Sequence, residues 1–203
     1  TVVPSSGVLA GFNTDVTGIA SAIRRACSQA DRTLPTKAVV LGARATASSA
    51  LAALGELGIV TSTVAARRFG GPGSVVAASS RLGVSIEQVL WSDRDAVLRS
   101  VSAADLVIST LPAGVADPLA EHMRVREGQI VLDVVYSPRE TALRSAFERN
   151  GGIVAEGIDM LIYQAAAQVQ LMTGRSPEID VMRGALEAEL ASRARASGGG
   201  AAS

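Results

Sequence analysis

Ala38-Val39-Val40-Leu41-Gly42-Ala43-Arg44-Ala45-Thr46-Ala47 decides the fold. Four apolar residues stopping at a glycine read as a strand buried on both faces. Thr46 to Leu57 reads as a helix that Gly58 ends. A strand running through a glycine turn into a helix is the repeating unit of a parallel α/β sheet. Unpaired N–H groups at the start of such a helix make a ready seat for a phosphate. Dinucleotide-binding loops want a first glycine for the turn, a second for close backbone approach, and a third small residue for helix–strand packing. Gly42 and Ala47 meet the first and third needs, but Arg44 occupies the second. One glycine of three does not establish the motif. Arg44 either adds a phosphate contact or fills the pyrophosphate site, and the sequence leaves both open.

Outward from this segment, short apolar runs alternate with amphipathic, alanine-rich stretches. A helix is predicted over Asp15–Ala30, with Val16, Ile19, Ala20, Ile23 and Cys27 at helical spacing and Asp15 able to serve as N-cap. Strands are predicted at Ile59–Ala65, Ile86–Trp91, Leu106–Ser109, Ile130–Val134 and Ile153–Val154. Helices are predicted at Ser74–Leu82, Asp93 to about Val101, Pro138–Asn150, about Met160–Thr173 and Ile179–Ala194. Such alternation specifies a doubly wound parallel sheet with helices on both faces. The segment 195–203 is small and polar and is expected to be a disordered tail. Residues 1–14 form no independent domain, carry one β-like run at Gly7–Ala10, and look like the remnant of a preceding domain.

Composition removes several classes of function. Of 203 residues, 48% are hydrophobic, enough for a sizeable core, and 19 basic residues balance 19 acidic ones. That balance argues against a nucleic-acid or anionic-membrane surface, both of which need a basic excess. Cys27 and His122 are the sole cysteine and histidine, so no disulfide and no Cys- or His-based metal cluster is expected. No apolar run reaches a membrane span of about 18 residues. A cytoplasmic, reducing compartment is expected, and monomer and homodimer both remain open. Lys37 is the single lysine among the 19 cations, an imbalance that fits GC-rich coding. His122 reads as surface and Cys27 as core.

The second predicted strand ends at Ala65-Ala66-Arg67-Arg68, where an acidic residue usually holds the ribose of NAD. Two arginines there suit the 2′-phosphate of NADP; a solvated loop pair is the plainer alternative. Three further segments bear on the choice: Asn13-Thr14-Asp15 with Gly18 following, Asp133-Val134-Val135-Tyr136-Ser137-Pro138 leading to Thr141, and Gly157-Ile158-Asp159-Met160-Leu161 with Gln164. In this order and spacing they resemble the shikimate dehydrogenase family, from Thr1 to about Leu190.

The resemblance implies a Rossmann-like sheet of order 3-2-1-4-5-6 spanning 15–157. It also implies that helices in 158–194 return to an N-terminal α/β substrate domain, mostly missing here, of which 1–14 are the remnant. It implies NADPH-dependent reduction of 3-dehydroshikimate to shikimate, in the biosynthesis of chorismate and the aromatic amino acids. Asp15 matches the family's catalytic and substrate-binding aspartate, and Gln164 and Tyr136 its substrate contacts. Gly42, Ala43, Arg44 and Ala45 fall on the cofactor loop, Arg67 and Arg68 on the adenosine-phosphate turn, and Thr110, Leu111 and Pro112 on the loop flanking the cofactor. Val134, Gly157 and Met160 fall beside the nicotinamide. Two departures stand out. Arg44 and Ala45 replace the loop's inner glycines. The family's catalytic lysine and its upstream serine and threonine contacts have no counterpart here, so the resemblance implies that this chain alone does not turn over. The competing readings are a non-catalytic or regulatory relative with a drifted cofactor loop, and an interaction module without a ligand.

Overall fold

The computed structural model describes residues 1–5 and 7–198. Six strands, β3 (Ala38–Leu41), β4 (Thr61–Ala66), β5 (Ser85–Leu90), β6 (Leu106–Ser109), β7 (Ile130–Asp133) and β8 (Ile153–Ala155), form one sheet ordered β5-β4-β3-β6-β7-β8. All five pairings are parallel. Counted from β3 as the first strand, this is the expected order 3-2-1-4-5-6. Two strands preceding it, β1 (Val2–Ser5) and β2 (Val8–Gly11), pair antiparallel in a separate ribbon.

Because successive strand residues point to opposite faces, the sheet divides its apolar side chains between two cores. Val40, Val64, Ile108 and Leu132 face α1 (Thr14–Gln29), α2 (Ala45–Glu56) and α3 (Val75–Leu82). Val39, Leu41, Val107 and Val131 face α4 (Arg94–Ala103), the single turn α5 (Asp117–Ala120) and α6 (Ala142–Arg149). The chain ends in α7 (Gly157–Thr173), which joins the first core through Met160, and α8 (Ile179–Gly198).

Several sequence expectations are corrected. Asp15 does not cap α1: the helix starts at Thr14, and the Asn13 side chain is the cap, accepting from the Asp15 N–H at 3.2 Å. Helix α6 begins four residues after Pro138. Thr141 fixes its start, its hydroxyl oxygen accepting from the Arg144 N–H at 3.2 Å. Strand β7 stops at Asp133, which puts Val134 in the loop, and α7 begins at Gly157, one turn before Met160. The expected tail is helical through Gly198, since the alanines and arginines of 191–196 favour helix; 199–203 lie outside the described residues. Strand β1 had no clear sequence signal because Pro4 interrupts its valines, a position tolerated in an edge ribbon.

Candidate functional site

In an open parallel sheet the binding crevice lies beyond the carboxyl ends of the strands, where the order reverses. Here that point is between β3 and β6, which are neighbours although their following segments leave toward opposite faces. Gly42 ends β3 with φ +113°, a backbone region that side chains rarely adopt. A Cβ there would sit 2.3 Å from the Thr110 hydroxyl oxygen. That hydroxyl and the Thr110 N–H both donate to the Leu41 carbonyl at 2.9 Å, while the Gly42 N–H donates to the Ala65 carbonyl at 2.9 Å. Three loops therefore meet without room for a side chain at Gly42.

Arg44 is the N-cap of α2, in extended backbone (φ −101°, ψ −163°) and without a side-chain cap bond. The helix start is tied instead to the loop after β4. The Ser48 hydroxyl donates to the Gly73 carbonyl at 3.1 Å, and the Val75 N–H to the Ala43 carbonyl at 3.3 Å. These bonds hold the segment carrying Arg67 and Arg68 against the Gly42 turn. Both arginines are exposed, and neither has a side-chain partner among the described residues.

The second half of the crevice is built by helices. Gly18 of α1 lies against α7 so closely that a Cβ would be 2.6 Å from the Met160 carbonyl oxygen and 3.2 Å from the Gln164 Cβ. The Gln168 side-chain amide donates to the Thr14 hydroxyl at 3.3 Å, so the two helices run antiparallel. Asp15 and Gln164 thus lie on a contacting helix pair. Asp15 has no side-chain partner among the described residues. Asn13 uses both ends of its amide: the oxygen caps α1, and the nitrogen donates to the Ser49 hydroxyl of α2 at 2.9 Å.

The loop after β7 closes the far side. The Asp133 carbonyl would lie 2.6 Å, and the Val135 carbonyl 3.2 Å, from a Cβ on Gly157, which makes glycine obligatory where α7 begins. The Asp133 carboxylate accepts from the Thr141 hydroxyl at 2.9 Å and the Val135 N–H at 3.2 Å. Burial pushes this carboxyl above its ordinary value, and those bonds oppose the shift. Val134 packs on the first core and Leu111 on the second, Pro112 is exposed, and Tyr136 is 48% exposed. Burial would also raise Glu156, but two hydrogen bonds from Arg144 (2.7 and 2.9 Å) and the charges of Arg144 and Arg139 outweigh it, holding the carboxyl below its usual range.

Residues 157–187 match the family described as the shikimate 5'-dehydrogenase C-terminal domain. A shikimate dehydrogenase (NADP(+)) of Halothermothrix orenii is 32% identical over 185 residues, covering 88% of this chain and 63% of that protein. The shikimate dehydrogenase structure from Mycobacterium tuberculosis superposes with a TM-score of 0.77 at 32% identity, over 90% of this chain and 66% of that one. Over the part it spans, the chain is similar to members of the shikimate dehydrogenase family. A Thermus thermophilus member, solved in complex with NADP(H) and shikimate, superposes with a TM-score of 0.65 at 27% identity over 89% of this chain and 64% of that one. The chain thus spans less than two thirds of the length of these family members.

Three residues have structural roles that the sequence does not reveal. Asp159 is 4% exposed and takes salt bridges from Arg25 of α1, at 3.3 Å, and from Arg183 of α8. Gln168 and Asn13 join helix pairs through contacts remote in sequence. Only for Asp159 was there a signal: an acidic residue amid apolar ones at a helix start.

Proposed function

We propose that this chain forms the cofactor-binding part and one wall of the substrate site of an NADP-dependent shikimate dehydrogenase, which reduces 3-dehydroshikimate to shikimate. One observation carries the reading: α1, which bears Asp15, touches α7 through Gly18 and α2 through the Asn13–Ser49 bond. A candidate acid, a candidate amide and a phosphate-type helix start are thereby held beside one crevice. NAD(P)H fits that crevice on its construction, for the Gly42 turn leaves no space for a Cβ and the α2 start offers unpaired N–H donors to an anion. When bound, it supplies a hydride to the ring carbonyl of the substrate.

The chain's own groups then have the following tasks. Gly42, Ala43, Arg44 and Ala45 receive the pyrophosphate, and Arg67 and Arg68 pair with the 2′-phosphate. Thr110, Leu111 and Pro112 border the cofactor, while Val134, Gly157 and Met160 set the floor for its reactive ring. Asp15 accepts a hydrogen bond from a substrate hydroxyl and orients the group that gives up the proton; Gln164 and Tyr136 bind the remaining hydroxyls. Lys37 is not that proton source, because it precedes β3 at the amino end of the strands, away from the crevice, where its backbone N–H donates to Asp105. The donor comes from outside these residues.

Fluorescence titration with NADPH tests the first half: saturable binding is expected, and none up to millimolar concentration overturns the reading. In a form of the protein that turns over, Asp15→Asn is expected to lower kcat by about 10²- to 10⁴-fold with an unchanged Kd for NADPH. Equal loss of both would make Asp15 structural.

A further inference from the structure

Arg44 is the residue at which this crevice departs from a loop that binds phosphate by backbone alone. It stands at the N-cap of a 12-residue helix, where asparagine, aspartate, serine or threonine would accept from the first N–H groups. Arginine has no acceptor atom, and its charge meets the positive end of the helix dipole. Nearby helices differ: Ser74, Asp93 and Thr141 each cap the helix that follows with a side-chain oxygen. Nor is there a local counter-charge. The segments 42–49, 66–74 and 109–114 contain no Asp or Glu, and Arg44 itself has no side-chain partner among the described residues. Three cations and a run of unpaired N–H groups thus gather at one edge, an arrangement that costs stability until an anion arrives.

Backbone conformation does not require glycine at this position, since φ is −101°. A glycine there serves close approach only, and the Arg44 Cβ takes up that space. A pyrophosphate must then sit farther from the N–H groups, at a distance a guanidinium can bridge with two parallel hydrogen bonds.

Resting on the cofactor reading above, we infer that Arg44 is a specificity-determining phosphate ligand: its guanidinium binds the pyrophosphate bridge of the dinucleotide, while Arg67 reads the 2′-phosphate. The two arginines divide the ligand. Arg44 answers to the part that NADPH and NADH share, and Arg67 to the part that only NADPH carries.

The test is calorimetric titration of the chain and two variants with NADPH and with NADH. Arg44→Ser is expected to weaken both cofactors by a similar factor of about 10 to 100, the size of a lost charge-assisted hydrogen-bond pair. It also supplies a cap and removes a like charge, so the unliganded variant should melt about 2–4 °C higher. Arg67→Ala is expected to weaken NADPH by about tenfold or more and to spare NADH. Unchanged or tighter binding by Arg44→Ser means that the guanidinium only obstructs the site, and overturns the inference while leaving the cofactor reading intact. Loss confined to NADPH would move Arg44 to the 2′-phosphate and overturn it as well. Failure of the unaltered chain to bind either cofactor defeats the cofactor reading and takes this inference with it.

Discussion

The two ends of the central sheet spend their polar groups in opposite ways. At the amino end, Asp105 accepts from the Thr36 N–H, the Thr36 hydroxyl and the Lys37 N–H at 2.9–3.1 Å. Arg126 donates to the Ser102 and Ala104 carbonyls, and the buried Gln129 amide to those of Val101 and Ala104. Donors and acceptors there find each other within the chain. At the carboxyl end, Arg44, Arg67, Arg68 and Asp15 keep no such side-chain partners among the described residues. The amino end is where stability is secured. At the carboxyl end Asp133 and Glu156 are paired, but the charges of Arg44, Arg67, Arg68 and Asp15 are not met by side chains among the described residues.

Substitutions at each end put this contrast at risk. The largest effect is expected from Gly42→Ala, which combines an unfavourable φ with a Cβ only 2.3 Å from the Thr110 hydroxyl oxygen. A loss of about 3 kcal/mol in urea unfolding is expected. Thr110→Ala in the same chain should recover part of it, leaving the backbone strain of about 1–2 kcal/mol; no recovery would mean that overlap is not the cause.

Next in size is Gln129→Ala at the amino end. It leaves the Arg126 N–H without its acceptor and takes one of two donors from each of the Val101 and Ala104 carbonyls, at a cost of about 2 kcal/mol. NADPH affinity in the folded variant should stay within twofold, and a larger change would erase the distinction between the ends. Smallest is Glu156→Gln, about 1–2 kcal/mol at neutral pH. Because the folded Glu156 carboxyl lies below its ordinary 4.5, its contribution is complete above that pH and disappears as the pH falls through the folded value. Denaturation curves of the parent and Glu156→Gln should therefore converge on acidification. A gap that widened below pH 4.5 would contradict the pairing with Arg144.

Sequence periodicity was most informative where burial is symmetric. Ala38–Leu41 and Leu106–Ile108 are apolar throughout because helices cover both faces, and strands β3 and β6 both have their expected ends. It misled where a local side chain overrides the pattern: Thr141 delays α6, and Asn13 takes the cap that Asp15 could have supplied. For the candidate site, the glycine turn and the arginines of the next strand end were visible as spacing along the chain. The joining of α1 to α7 at Gly18 was not, because 142 or more residues separate the contacting groups and no local propensity encodes such a meeting. Likewise Asp159 looks like an ordinary helix-start acid until Arg25 and Arg183 arrive from two other helices.

Asn13 has a consequence of its own. Its oxygen keeps α1 closed and its nitrogen tethers that helix to Ser49. Aspartate is just as good a cap, yet it has nothing to donate once ionised. Exchange of one NH₂ for one oxygen, by mutation or by slow chemical ageing of the amide, would leave the helix intact and remove its donor to Ser49, while the shared core and the Arg24–Glu56 bond still hold α1 to α2. At the crevice end of that helix pair, the polar link depends on which atom the side chain of residue 13 presents to Ser49.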